Sequence, residues 1–230
     1  MADSSLYRLL SWLSPAFPVG SFTYSGGLEW AIAENLLSDR KALAEWLEDV
    51  LSAGSVRNDA VFFVHAYRAS ANRDRVRLME VAELAAACHP SRERRLEAIA
   101  QGAAFRRIAA ATAPCATLDL TAGIPDDALC YAIIVGVLAE GHGIALEPAL
   151  TAYLHALVSN LTSAAQRLIP LGQTDGQKTI AALEPAVNRV VTWALALAHG
   201  DPFDALGSAT LMADFATLAH ETQYTRLFRT

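Results

Sequence analysis

The stretch Ser38-Asp39-Arg40-Lys41-Ala42-Leu43-Ala44-Glu45-Trp46-Leu47-Glu48-Asp49-Val50-Leu51-Ser52-Ala53-Gly54 decides the fold class. Leu43, Trp46, Leu47, Val50 and Leu51 recur at the three- and four-residue spacing that places side chains on one face of an α-helix. Ser38-Asp39 offers oxygens to the first free N–H groups, and Gly54 ends the pattern. The spacing predicts an amphipathic helix with marked ends.

Reading outward, the same period returns nearly everywhere. Val56, Ala60, Phe63, Val64 and Tyr67 form a second stripe, Asn72 offers a cap for a third helix running to about Cys88, and Ser91 starts a fourth that carries Leu96, Ile99, Ala103 and Ile108 up to Pro114. Ile124-Pro125-Asp126-Asp127 reads as a helix start, with proline at the first position and carboxylates near the positive end of the dipole. The helix it opens, through Tyr131, Ile133, Ile134, Val135, Val137 and Leu138, is apolar on all sides and is the core candidate; it stops at Gly141-His142-Gly143. Its β-branched middle makes a buried strand the competing reading, and its length favours helix. Glu147-Pro148 opens a helix ending near Pro170, another spans Thr179 to His199 with a kink or break at Pro185, and a last one runs from Asp204 to about His220. Period-2 alternation is almost absent, connectors are short, and nothing repeats at 20 to 50 residues. The expected fold is all-α: a single domain of about nine or ten helices in a compact bundle over residues 1–220, followed by a tail, 221–230.

Hydrophobic residues make up 53% of the 230 and charged residues only 18%, so a protein partner or a second copy is expected to cover apolar surface. The apolar run Ala128 to Ala139 is the candidate for self-association. A net charge of −6 without a Lys/Arg run argues against nucleic acid or an anionic membrane as main partner. That run also falls far short of the roughly 20 residues of a spanning helix. The opening Met-Ala-Asp-Ser-Ser-Leu-Tyr-Arg has neither the basic nor the apolar part of a secretory signal, so the cytoplasm is the expected compartment. Cys88, Cys115 and Cys130 are odd in number and far apart, which is no disulfide framework. Without Cys-x-x-Cys or His-x-x-x-His, no metal site is legible; Cys88 beside His89 is the one close pair of soft ligands. The six histidines stand at no spacing that predicts a triad, so no catalytic residue is assigned.

Three segments are more than helix packing requires. In Leu13 to Trp30, two prolines and Gly20-Ser21 bar a helix, while Phe17, Phe22 and Tyr24 are too apolar for an idle loop. A loop pinned to the core by its aromatics fits, and so does a shaped loop whose Ser25-Gly26 helix start offers N–H groups to a partner's carboxylate or phosphate. Arg167 to Thr179 holds two glycines, a lysine and a threonine in order. Three residues, not four, separate Gly172 from Gly176, and Gln177 intervenes before Lys178, so it is read as a helix–helix connector with amides free to pair across an interface. In the tail, Tyr224, Leu227 and Phe228 sit at helical spacing beside Arg226 and Arg229, the profile of a segment that orders against a partner.

These segments resemble the UreF family of urease accessory proteins: Ser14-Pro15-Ala16-Phe17-Pro18-Val19-Gly20-Ser21-Phe22-Thr23-Tyr24-Ser25 is similar to its first signature, Pro170-Leu171-Gly172-Gln173-Thr174-Asp175-Gly176-Gln177 to its second, and His220 to Arg229 to its ending. The resemblance implies a dimeric, non-catalytic scaffold that binds UreD (also called UreH), recruits the GTPase UreG, and so serves nickel insertion into apo-urease. A regulator of GTP hydrolysis by UreG is the alternative. Nickel and GTP would be handled by partners, leaving this chain without a cofactor. The partner-binding candidates are Phe22, Tyr24, Ser25, Glu29, Gly172, Gln173, Gln177, His220, Glu221, Tyr224, Arg226, Leu227, Phe228 and Arg229. The family often carries an Arg-Glu-rich helix start in mid-chain where this sequence reads Cys88 to Arg95, so no functional residue is assigned there.

Overall fold

The computed structural model describes residues 4–197 and 200–230. Its chain order is α1 Ser5–Trp12, α2 Leu28–Ala33, α3 Arg40–Ala53, α4 Ser55–Ala71, α5 Arg75–Ala87, α6 Arg92–Thr112, α7 Tyr131–Gly141, α8 Leu146–Gln166, α9 Gln173–Ala196, α10 Pro202–Ala205 and α11 Leu211–His220, with 3-10 turns at Ser21–Thr23 and Ala116–Thr121. No strand occurs among the described residues. The protein is all-α, as the periodicity predicts.

Asp39 caps α3 by accepting from the Ala42 N–H at 2.9 Å, and Ser91 caps α6 from Arg94 at 3.2 Å. Leu43, Leu47 and Leu51 are the buried face of α3. The hub of the core is α7, whose Ile133, Ile134, Val135, Val137 and Leu138 are all fully buried. It lies close against α4: a Cβ on Gly136 would stand 2.8 Å from the carbonyl oxygen of Phe63, so the backbones meet where glycine leaves room. An aromatic chain continues outward, Phe63–Tyr153 at 5.3 Å, Tyr153–Tyr131 at 5.5 Å, Tyr131–Phe105 at 5.6 Å and Phe105–Phe17 at 5.1 Å, and pins the proline-rich N-terminal loop to the core.

Several boundaries differ from the expectation. Pro125 starts a turn rather than a helix, and α7 begins at Tyr131; Asp126 and Asp127 pair with Arg106 and Arg95 of α6 at 2.6 Å and 3.3 Å. Segment 128–139 is interior and is therefore not a self-association surface. The cap of α5 is Asp74, not Asn72. The connector expected up to Thr179 is already helix, since α9 starts at Gln173 and runs unbroken through Pro185. Ala181, whose carbonyl loses its donor to that proline, lies on the exposed side where water can reach it. The expected end of this helix at His199 lies outside the described residues. The single last helix is in fact two, α10 and α11, parted by a crossing strap: Gly207 donates to Asn58 Oδ1 at 3.1 Å and Ala209 to the Ala53 carbonyl at 2.8 Å.

Candidate functional site

The first and third segments singled out in the sequence are brought together. Gly26 and Gly27 adopt φ of +61° and +85°, turning the chain into α2. A Cβ on Gly27 would lie 2.9 Å from the Thr217 nitrogen, so this glycine also admits α11 against α2. Trp30 of α2 and Phe215 of α11 then meet edge to face at 5.4 Å.

The tail returns over this junction. The Arg229 N–H donates to the Thr23 carbonyl at 2.8 Å, and the Ser25 N–H and hydroxyl both donate to the carbonyl oxygen of Thr230. Gly26 N–H reaches Thr230 Oγ1 at 3.2 Å, and that hydroxyl donates to Glu97 Oε2 at 3.0 Å. The N–H groups expected to hold a partner's acidic group are thus occupied by Thr230 of the same chain, only 2% exposed.

One carboxylate organises the rest. Glu29, buried in the first turn of α2, accepts from the Leu227 N–H at 2.6 Å and the Phe228 N–H at 2.9 Å. His220, 0% exposed, sets Nε2 3.2 Å from Glu29 Oε2 and Nδ1 2.6 Å from Glu93 Oε2; the other oxygen of Glu93 pairs with Arg226 at 2.6 Å. Glu221 accepts from the N–H groups of Arg92 and Glu93 at 2.7 Å and 3.3 Å, tying α11 to the start of α6. Arg94 pairs with Glu97, which also accepts from Gln101. Glu93, Arg94 and Glu97 are therefore central, although no role was assigned to 88–95; their spacing alone reads as a solvated helix face.

The candidates divide by burial. Tyr24, Ser25, Glu29, His220 and Phe228 are buried, Phe228 under the Arg167 guanidinium at 4.4 Å, so Phe228 is an anchor of the tail and not a side chain free for docking. Arg226 spends its charge inside the chain, on Glu93. Facing out are Phe22, fully exposed Tyr224, Arg229 and Leu227, the last 66% exposed. The helix α11 also exposes Leu211, Met212, Phe215 and Leu218, side chains left unassigned in the sequence because their period belongs equally to a core helix. Gly172, Gln173 and Gln177 sit at the exposed start of α9 and share no hydrogen bond with this cluster among the described residues.

A model of the UreF family matches residues 37–184. Over 226 residues the chain is 54% identical to a urease accessory protein UreF of Bradyrhizobium sp. strain ORS 278, covering 98% of this chain and 92% of that one. This chain belongs to the UreF family of urease accessory proteins. It is 51% identical to the UreF of Bradyrhizobium diazoefficiens over 98% of this chain and 92% of the relative, and 50% identical to one from Rhodopseudomonas palustris strain BisB5 over 99% and 92%.

Within this UreF-family chain, burial is the largest cause of the shifts of His89, Cys130, Asp59 and His65. His89 Nε2 stands 3.5 Å from Cys130 Sγ and not against neighbouring Cys88, but burial pushes the thiol up to about 12 and the imidazole down to about 3, leaving both neutral. Burial likewise raises Asp59 to about 7, Arg94 opposing it, and lowers His65 to about 4. No group of three or more His, Cys, Asp or Glu is placed to hold a metal ion, and no helix is long and apolar enough to cross a membrane, among the described residues.

Proposed function

We propose that this chain is a non-catalytic scaffold of urease maturation, which binds UreD/UreH and, through that pair, brings the nickel-carrying GTPase UreG to apo-urease. The observation that carries the reading is the set of exposed apolar side chains on α11, Leu211, Phe215 and Leu218, and on the two joined segments, Phe22, Tyr224 and Leu227, with the backbone of Leu227 and Phe228 fixed by the Glu29 carboxylate. Exposed apolar clusters of this kind mark protein interfaces, and aromatic anchors on a rigid base bind at low entropic cost. Nickel is cargo and GTP is hydrolysed by the partner, so neither is a resident cofactor here. The chain works in the cytoplasm, as a homodimer.

Co-purification with tagged UreD/UreH and UreG tests this. Wild type should be retained with both, and Leu211→Asp with Phe215→Asp should be retained with neither while keeping its helix content. Equal retention of that variant and normal urease activation would overturn the reading.

A further inference from the structure

His220 ends α11 with its ring fully buried between carboxylates of two other helices. Nε2 lies 3.2 Å from Glu29 Oε2 of α2, and Nδ1 lies 2.6 Å from Glu93 Oε2 of α6. Both oxygens of Glu29 also accept from tail N–H groups, and the other oxygen of Glu93 accepts from Arg226, so these carboxylates act as acceptors throughout. Each contact with the ring therefore takes an N–H from it, and a neutral imidazole has one N–H, not two. With one proton, the ring would turn a lone pair on a carboxylate oxygen in the interior.

Charge balance agrees with the geometry. Around the ring stand Glu29 of α2, Glu93 of α6 and Arg226 of the tail, while Glu221 caps the start of α6 and Arg94 pairs with Glu97. Two carboxylates against one guanidinium leave a negative charge inside, which a ring with both protons cancels. The C-terminal end of a helix also favours a cation, and 2.6 Å is the short separation of a charge-assisted bond. We infer that His220 is a positioning residue with both ring nitrogens protonated, a clamp between α2 and α6 that fixes the pose in which α11 presents Leu211, Phe215 and Leu218. The inference rests on the reading of α11 as a partner surface and concerns what holds that surface in place. The clamp is complete with both protons on the ring, and it is lost as rising pH removes one.

The test is NMR of the full chain labelled with nitrogen-15 histidine, which separates a ring with two N–H groups from a ring with one bare nitrogen. Near pH 7 the resonances that vanish in His220→Gln should show two N–H groups, and Glu93→Gln should return them to one; if His220→Gln unfolds, the change in Glu93→Gln identifies the ring. As pH rises and the second proton leaves, hydrogen exchange at the Leu227 and Phe228 amides, corrected for its intrinsic pH dependence, should quicken about tenfold or more. Retention by tagged UreD/UreH should fall along the same curve. A bare ring nitrogen in the wild type near pH 7, or amide exchange that ignores the loss of the proton, would overturn the inference. Should the wild type be retained at no pH while the ring holds both protons and exchange follows them, the clamp stands and the α11 reading falls.

Discussion

Glu29 carries three contacts on one carboxylate: two tail N–H groups and the ring of His220. Removing it leaves donors buried without an acceptor, and hydrogen bonds to a charged group contribute about 1.5–3 kcal/mol each. Glu29→Ala should therefore lose about 3 kcal/mol or more, lowering the thermal midpoint by roughly 6–12 °C; an unchanged midpoint would show that the tail is not anchored there. Arg226→Ala removes a pair whose arginine is 39% exposed, a class of contact contributing at most about 1 kcal/mol, so its midpoint should move little. Asp59 predicts a pH dependence. Its folded value of about 7 exceeds its ordinary 3.8, so ionisation is harder in the fold and the stability it contributes is lost as pH rises from about 4 through 7. His65, lowered from 6.5 to about 4, acts oppositely: its contribution is present above 6.5 and lost as pH falls through about 4. Asp59→Asn should raise the midpoint more near pH 8 than near pH 4, and a parallel shift at both would refute the assignment.

Among the elements, α3 is legible because cap, stripe and stop are all local in sequence. The start of α9 is not: Gly172 and Gly176 look like loop punctuation, yet Gly176 is helical, and the amide end of Gln166 lies 2.6 Å from where its Cβ would be, on its way to the Gly172 carbonyl. Pro125-Asp126-Asp127 misleads similarly, since its carboxylates answer arginines of another helix. The site divides along the same line. Glu29 and the tail stand out by composition, whereas Glu93 and Glu97 become special only when residues 226 and 230, 133 positions away, fold back onto them. Deleting 222–230 should consequently do more than trim an appendage: limited proteolysis should find new cuts in the loop before α2, and unaltered digestion there would contradict the described packing.

For the whole molecule, self-association is expected from surface faces rather than from the buried segment 128–139, and sedimentation at micromolar concentration should show a dimer, alone or with UreD/UreH. A strict monomer in both states would remove that part of the reading. Calorimetry with GTP should give no binding, because Lys178 lies along α9, pairing with Asp175 at 3.7 Å, and no loop of nested amides precedes it. The bonds between residues 23–26 and 229–230 have a temporal meaning as well. Ser25 leaves the ribosome early, and the oxygen that satisfies its N–H and hydroxyl is made 205 residues later. Until then the Gly-Gly turn and α2 lack their seat, so the segment around Ser25 waits on residues made about two hundred positions later, and a chain stalled before residue 226 should present the loop before α2 open to protease even with α3 to α9 already formed.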